Sequence, residues 1–143
     1  MATTRRMGRC QTSVNTNRSG DPVTASRLDI VTVNTPRTDG ISKFWAELLG
    51  LQEIEREDGD RWILLGDANG GRTIGFQRGE HVAGSIHIDL SCSTDDFGNE
   101  RERILRLSAV ETRPMRSEPY GLIANFADPD GNLFDLCAYF SAD

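Results

Sequence analysis

The stretch "DPDGNLFDL", residues 128–136, joins a tight acidic turn to a strand of alternating apolar residues. Asp, Asn, Pro and Gly favour chain reversals because they adopt or fix the backbone angles that a turn requires. Alternation sends Phe134 and Leu136 to one face of the strand and Asp135 to the other, beside Leu133. An ionised side chain inside an otherwise apolar strand either points to water or lines a site that uses its charge.

A second strand, "SIHIDLS" at residues 85–91, repeats this alternation and adds two polar side chains. Ile88 and Leu90 fall on its apolar face, whereas His87 and Asp89 fall on the opposite face. Both strands therefore predict a sheet with one face against the core and one polar face that is left open.

The segment "GISKFWAELLG", residues 40–50, predicts the first helix. Its apolar residues recur at helical spacing and form one stripe, which comprises Ile41, Phe44, Trp45, Leu48 and Leu49. Asp39 is a candidate N-cap, because its carboxylate can accept hydrogen bonds from the first unpaired amides. Gly50 suits the left-handed backbone position that follows a helix.

The chain follows one plan twice, namely a strand, a helix and three further strands. The predicted strands cover residues 28–35, 51–57, 61–66 and 73–79 in the first half, and 85–91, 109–114, 120–128 and 132–140 in the second. A second helix is expected over residues 97–109, capped by Thr94 or Asp95, and "EDGD" and "DANGGR" are expected to form hairpin turns. This order predicts an α+β domain in which the helices cover one face of a mainly antiparallel sheet.

Composition and charge narrow the class of protein. The chain has 143 residues and a net charge of −6, which suits one soluble domain and argues against nucleic-acid binding, since phosphate contacts need basic surfaces. No apolar run approaches the ~18 residues of a membrane span. Cys10, Cys92 and Cys137 form no CxxC pair, which favours free thiols in a reducing cytoplasm. Residues 1–26 are poor in large apolar residues and predict a flexible tail.

In the order and spacing of four segments, the chain resembles the vicinal-oxygen-chelate superfamily, in its glyoxalase-like and bleomycin-resistance-like branch. The segments are "FWAELLGLQ" at residues 44–52, "FQRG" at 76–79, "HIDL" at 87–90 and "DPDGNLFDL" at 128–136. The resemblance implies a domain at residues 27–143 made of two βαβββ units, at about 27–79 and 85–140, whose sheets curl into a cup. It also implies pairing into a homodimer.

The same resemblance implies positions for metal ligands, because metal-dependent members take ligands from the first strand of each unit and from the final strand. These positions fall on Ile30, His87 and Asp135, and the last is usually Glu in the family. Ile30 cannot bind a metal, so we expect no complete metal site and no cofactor. Our hypothesis is a hydrogen-bonded cluster of His87, Asp89 and Asp135; if a divalent metal binds, His87 and Asp135 are its expected ligands. His81, in the connecting loop, could swing in.

Three functions remain open from the sequence. The first is binding of a small organic molecule in the cup, with flat contacts from Trp62, Phe76 and Tyr120 and polar contacts from Asn34, Gln77 and Asn125. The second is an enzyme of lyase, isomerase or dioxygenase type, in which His87 acts with Asp89 and Asp135 as acid and base or as partial metal ligands. The third is an interaction module whose open sheet face pairs with another chain. The sequence has no nucleophile elbow, phosphate-binding glycine loop or CxxC motif to support other chemistries.

Overall fold

The computed structural model describes residues 28–141, and the predicted tail and Cys10 lie outside this range. Within it the chain forms two helices and eight strands. In chain order they are β1 (Val31–Thr35), α1 (Thr38–Leu49), β2 (Gln52–Glu57), β3 (Trp62–Gly66), β4 (Arg72–Arg78), β5 (His87–Ser91), α2 (Phe97–Arg106), β6 (Val110–Glu118), β7 (Gly121–Ala127) and β8 (Leu133–Tyr139). Neither helix has the length and apolar character that a membrane crossing requires.

The strands form two four-stranded sheets with the same topology. The first sheet has the order β1-β4-β3-β2 and the second has the order β5-β8-β7-β6. In each sheet the first strand of the unit runs parallel to the last strand, and the other neighbours are antiparallel. The predicted α+β class with two βαβββ units is confirmed, and the parallel pair makes each sheet mixed.

Helix α1 is held by its apolar stripe. Phe44, Trp45 and Leu48 are buried, and the rings of Phe44 and Trp45 meet Phe134 of the second unit edge to face. Gly50 ends the helix in the left-handed conformation, as the sequence predicts. One core therefore serves both units.

The predicted N-cap of α1 is wrong. The helix begins at Thr38, so Asp39 lies inside its first turn instead of before it. There the carboxylate accepts hydrogen bonds from Lys43 and Arg56, and these two cations hold the pKa of Asp39 below its usual value. Competition from these charged donors explains why the side chain does not cap the helix.

Helix α2 is less apolar than α1 and shorter than predicted. It ends at Arg106 instead of residue 109, and its N-cap residue is Asp96, not Thr94 or Asp95. Phe97 and Ile104 are its buried residues, and Arg101 forms an ion pair with Glu111 of β6. Arg103 donates hydrogen bonds to the carbonyl groups of residues 47 and 48 at the end of α1, so the two helices are joined by a cation at a helix C-terminus.

Strand β6 extends beyond its predicted end at residue 114. It continues to Glu118 through Pro114, which a central strand would not tolerate. β6 lies at the edge of its sheet, and its register against β7 shifts on both sides of Arg113. An edge position and an irregular register accommodate the missing N–H of proline.

The turn at residues 128–132 joins the two units. Asp128 is buried, and one of its carboxylate oxygens accepts hydrogen bonds from the backbone N–H groups of Asp130 and Asn132. The other oxygen accepts from the Asn132 side chain and from the indole Nε1 of Trp45, at 2.7 and 2.9 Å. Since Trp45 belongs to α1, this carboxylate fastens the last turn of the second unit to the helix of the first.

A second contact of the same turn reinforces this junction. The Asp130 carboxylate accepts a 2.7 Å hydrogen bond from the Thr35 hydroxyl and a 2.9 Å hydrogen bond from Nε of Arg37. Thr35 is fully buried at the end of β1. The acidic turn therefore faces the first unit, while the strand that follows it carries Asp135 to the open face.

Candidate functional site

Three of the predicted residues meet on the open face of the second sheet. Nε2 of His87 lies 3.0 Å from Oδ2 of Asp135 and 3.4 Å from Oδ1 of Asp89. The register pairs Asp89 with Asp135, so strands β5 and β8 place the two carboxylates side by side. Asp135 thus lies among other polar side chains on the face away from the helices.

A chain of polar contacts extends from this cluster across all four strands. Asn125 of β7 donates a 2.5 Å hydrogen bond to Oδ1 of Asp135. Arg116 of β6 donates to the amide oxygen of Asn125 at 2.8 Å and also binds Glu118. Because Arg116 can only donate, it fixes the amide oxygen of Asn125 on its own side and turns the NH₂ group towards Asp135.

Asp135 is the member of the cluster that the protein shields from water. Its side chain is 10 % exposed, whereas the side chains of His87 and Asp89 are 55 % and 67 % exposed. A buried carboxylate needs partners to offset its loss of hydration, and Asn125 and His87 supply them. The arrangement leaves His87 and Asp89 free to meet a ligand at the surface while Asp135 stays fixed beneath them.

A small cavity opens beside the cluster. It has a volume of about 240 Å³. The residues that line it are His87, Thr112, Arg113, Asn125, Phe126, Leu133 and Asp135. Pockets for drug-sized ligands occupy roughly 300–1,000 Å³, so this cavity suits a smaller molecule.

The donor atoms of the cluster fit a divalent cation. One ligand atom each from His87, Asp89 and Asp135 lie within 4.8 Å of one another. In an octahedral site with bonds of ~2.1 Å, neighbouring ligand atoms are separated by about 3.0 Å, which is close to the two distances from His87. An imidazole with two carboxylates resembles the three-ligand facial sets that leave positions open for substrate, and oxygen-rich sets of this kind suit Mn²⁺ or Mg²⁺. Asp89 thus offers a third candidate ligand atom, in addition to those of His87 and Asp135.

The other predicted contact residues lie in several places. Asn125 lines the cavity of the second sheet. Trp62 lies across Gly75 on the open face of the first sheet and donates a 2.9 Å hydrogen bond to Glu55. Gln77 and Asn34 are neighbours in the register of that same sheet.

The predicted ligand contact of Phe76 needs correction, and Tyr120 lies away from the cavity beside His87. Phe76 is 0 % exposed and belongs to the core, because the strand alternation that exposes Gln77 sends Phe76 to the helix side. Tyr120 lies in the β6–β7 turn, where its ring stands 6.4 Å from that of Tyr139. Neither residue lines the cavity beside His87.

His81 lies at a second cavity, which has a volume of about 390 Å³. This cavity is bordered by β1, by the connection between the units and by the acidic turn, and its lining includes Asn34, His81 and Asn132 but not His87. Nε2 of His81 is buried and has no hydrogen-bond partner among residues 28–141. The loop histidine therefore does not join the cluster on the second sheet.

The two cysteines of the described range do not provide a reactive thiol. Cys92 and Cys137 are both free. Burial is the main cause that raises the pKa of each thiol above its ordinary value. Since the thiolate is the nucleophile, thiol chemistry at neutral pH is disfavoured.

Sequence reasoning missed Arg113 and Arg116 as members of this face. The register pairs Arg113 with Asn125 and Arg116 with Ile123, two positions that lie on the same side of β7. Simple alternation would place residues 113 and 116 on opposite sides, and only the irregular register between them brings both to one side. Pro114 was the available signal, because proline inside a strand marks an edge or a bulge.

Comparison with known proteins identifies the domain type. A family model for glyoxalase-like domains matches residues 30–137. No protein of curated function matches the chain.

Solved structures of similar fold come from several bacteria. A glyoxalase/bleomycin resistance protein/dioxygenase family enzyme from Burkholderia phytofirmans PsJN is 18 % identical, with a TM-score of 0.68 over 80 % of this chain and 100 % of that one. A glyoxylase/bleomycin resistance protein/dioxygenase domain from Frankia sp. EAN1pec is 20 % identical, with a TM-score of 0.62 over 82 % of this chain and 100 % of that one.

A mutant of the fosfomycin resistance protein FosX from Listeria monocytogenes is 21 % identical, with a TM-score of 0.67 over 82 % of this chain and 93 % of that one. That structure is complexed with Mn(II) and 1S,2S-dihydroxypropylphosphonic acid. At these identities the likeness concerns the fold.

Proposed function

The chain belongs to the glyoxalase-like domain family, and we propose that it is a small-molecule enzyme that uses a divalent cation on the open face of its second sheet. The observation that carries this proposal is the convergence of His87, Asp89 and Asp135 beside a cavity of about 240 Å³. Of the functions open from the sequence, this geometry favours the enzyme over binding without a metal, because it supplies three ligand atoms instead of two.

Each residue has a distinct part in the proposed site. His87, Asp89 and Asp135 would hold the cation, which when bound would act as a Lewis acid on an oxygen of the substrate. Asn125 holds one oxygen of Asp135 and leaves Oδ2 directed towards His87. Arg116 fixes the orientation of Asn125, so the ligand carboxylate is positioned by residues that do not touch the metal.

The exposed members of the cluster would meet the substrate. The cavity is lined by Leu133 and Phe126 on its apolar side and by His87, Asn125 and Asp135 on its polar side. A small organic molecule with an oxygen at one end and a short carbon skeleton fits this division.

Manganese titration of the apo protein tests the proposal. We expect one Mn(II) per chain in isothermal titration calorimetry and native mass spectrometry, with Kd raised about 100-fold or more in His87→Gln and in Asp135→Asn, since each removes a ligand. His81→Gln is the matched control, because it makes the same change at the other cavity, and Kd should not change. Absence of Mn(II) binding by the wild-type chain, or an equal loss in His81→Gln, would refute the metal-dependent function.

Binding without a metal is the second candidate. It is supported by the 3.0 Å contact between Nε2 of His87 and Oδ2 of Asp135, which would hold the imidazole in one orientation towards a polar ligand. A wild-type chain that binds no Mn(II) yet retains a co-purified organic molecule, which His87→Gln releases, would favour this candidate.

We also propose that the chain works as a homodimer in the cytoplasm. The exposed aromatic residues Tyr139 and Phe140, which are 58 % and 46 % exposed near the end of β8, support an apolar contact with another copy. The free thiols of Cys92 and Cys137 suit a reducing compartment. Light scattering at micromolar concentration tests the first point, and a monomeric mass would contradict it.

A further inference from the structure

Arg113 differs from every other arginine in residues 28–141. The other nine arginines each have a carboxylate oxygen within 4.0 Å. Arg113 has no such partner within the described range, although the chain has a net charge of −6 and carboxylates are abundant. A guanidinium left without a carboxylate in an acidic protein is available to an anion from outside.

The position of Arg113 places this free cation beside the proposed site. Arg113 is exposed and lines the same cavity as His87 and Asp135. The register runs directly across the sheet from Asp89 to Asp135, then to Asn125 and to Arg113. Two strand spacings separate Asp135 from Arg113, which corresponds to about 10 Å between their backbones.

Arg116, the other arginine on this face, cannot take the same part. Its guanidinium already donates to Glu118 and to Asn125, at 2.9 and 2.8 Å. Moving it would free Asn125 and disturb the positioning of Asp135. Arg116 is therefore held by hydrogen bonds within the protein, whereas Arg113 is open to a ligand.

We propose that Arg113 is the specificity-determining residue of the site and binds an oxyanion group of the substrate, which is a carboxylate, phosphate or phosphonate. This inference rests on the proposed function for its location and names the substrate class. The planar guanidinium can bind an oxyanion with two parallel hydrogen bonds, and it lines the same cavity as Asp135. The substrate then extends from an anionic end at Arg113 to an oxygen beside Asp135, whose backbone lies about 10 Å from that of Arg113.

Inorganic phosphate is the probe for this inference. Phosphate is titrated into the metal-free protein at constant ionic strength, with chloride as the replaced anion, and binding is followed by the ¹⁵N–¹H resonances of Arg113 and Asn125. We expect saturable shifts in the wild type, and a rise in Kd of about tenfold or more in Arg113→Met, because a charge-assisted pair of hydrogen bonds is lost. Arg113→Lys should recover part of the affinity as a point charge. The control Arg106→Met, which removes another exposed arginine, from α2, should leave Kd unchanged.

The two proposals fail separately in this design. If Arg113→Met binds phosphate as the wild type does, or if the wild type shows only unsaturable, chloride-like shifts, the role of Arg113 is overturned whatever the metal result. If the wild type binds phosphate through Arg113 but no Mn(II), the proposed metal-dependent function fails while the anion site stands. Retention of Mn(II) binding in Arg113→Met would show that the variant is folded and that the loss is confined to the anion.

Discussion

The β3–β4 turn at residues 67–71 and the β7–β8 turn at residues 128–132 have the same backbone construction. In each, one oxygen of the leading aspartate accepts from the amides two and four residues later, at 2.8–2.9 Å. In each, the fourth residue is a glycine with positive φ, 78° at Gly70 and 83° at Gly131. The two units therefore share one turn conformation, although their turn sequences, "DANGG" and "DPDGN", differ.

Burial separates the two turns. Asp67 is exposed, whereas Asp128 is 2 % exposed and its second oxygen also accepts from Trp45 and Asn132. The same turn is a local reversal in the first unit and a junction between units in the second. The backbone conformation of a turn can thus recur in one protein, while its contribution to stability depends on the residues that pack against it.

The open faces of the two sheets show the same contrast. A register row of the first sheet runs Thr32, Gly75, Leu64 and Glu55, and the indole of Trp62 covers its glycine. The corresponding row of the second sheet runs Asp89, Asp135, Asn125 and Arg113. One topology therefore presents a closed aromatic surface in one unit and an open polar surface in the other.

Replacing the two leading aspartates gives the largest expected difference. Asp128→Ala should lower the free energy of unfolding by about 3 kcal/mol or more, because several buried donors lose their acceptor at once. Asp67→Ala should cost less than about 1 kcal/mol, since water can replace an exposed carboxylate. Urea unfolding of both variants measures the difference, and equal losses would show that burial does not distinguish the turns.

A methyl group at Gly75 tests the closed face of the first sheet. The added Cβ would overlap the ring of Trp62, so Gly75→Ala should cost about 1–3 kcal/mol and shift the tryptophan fluorescence. Gly98→Ala is the control, because a Cβ there meets nothing within 4 Å and should stabilise α2 by up to about 1 kcal/mol. A neutral effect of Gly75→Ala would mean that Trp62 does not pack on this face in solution.

An amide in each sheet allows the open faces to be compared directly. Asn125→Ala should weaken Mn(II) binding by about tenfold, because Asp135 loses the donor that positions it. Gln77→Ala makes a similar truncation on the first sheet and should leave Kd for Mn(II) unchanged. The two calorimetric titrations are compared at the same pH, and equal weakening would contradict a positioning role for Asn125.

The ion pairs of helix α2 should make it modestly less stable in acid. Hydrogen bonds from Arg101 hold the pKa of Glu111 below its usual 4.5, and those from Arg103 do the same for Glu100. Since these folded-state values are lowered, the stabilisation is present above pH 4.5 and is lost as pH falls through the folded pKa values. Arg101→Met should therefore cost about 0.5–1 kcal/mol at pH 7 and less at pH 3. Thermal unfolding at both pH values measures this, and a pH-independent cost would argue against the ion pair.

The sequence was sufficient for features that depend on local spacing. Helix α1, the left-handed Gly50 and the placement of His87, Asp89 and Asp135 on one face follow from periods of 3.6 and 2, which neighbouring residues define. The core position of Phe76 follows from the same alternation, although an aromatic residue was expected to face the ligand there.

The sequence was insufficient where distant residues or irregular backbone decide the outcome. Asp128 is buried because Trp45, far away in the chain, packs against the turn. Arg113 and Arg116 lie on the same side of the second sheet because the register of β6 shifts between them. The alternation of residues in the sequence does not predict the size of this shift. Asp39 does not cap α1, and its carboxylate instead accepts hydrogen bonds from Lys43 and from Arg56 of β2.

The pairing of β5 with β8 has a consequence for the order in which the molecule assembles. β6, β7 and β8 follow one another as antiparallel neighbours, whereas β5 must wait for the rest of its unit before it can lie beside β8. Among the pairs of neighbouring strands this one closes the longest loop and so costs the most chain entropy, and we expect β5 to dock late in folding and to detach early on unfolding. His87 and Asp89 arrive with that strand, while Asp135 and Asn125 belong to the earlier meander. The complete site would therefore exist only in the fully folded protein. Partly folded chains would hold Asp135 and Asn125 in place without His87 and Asp89.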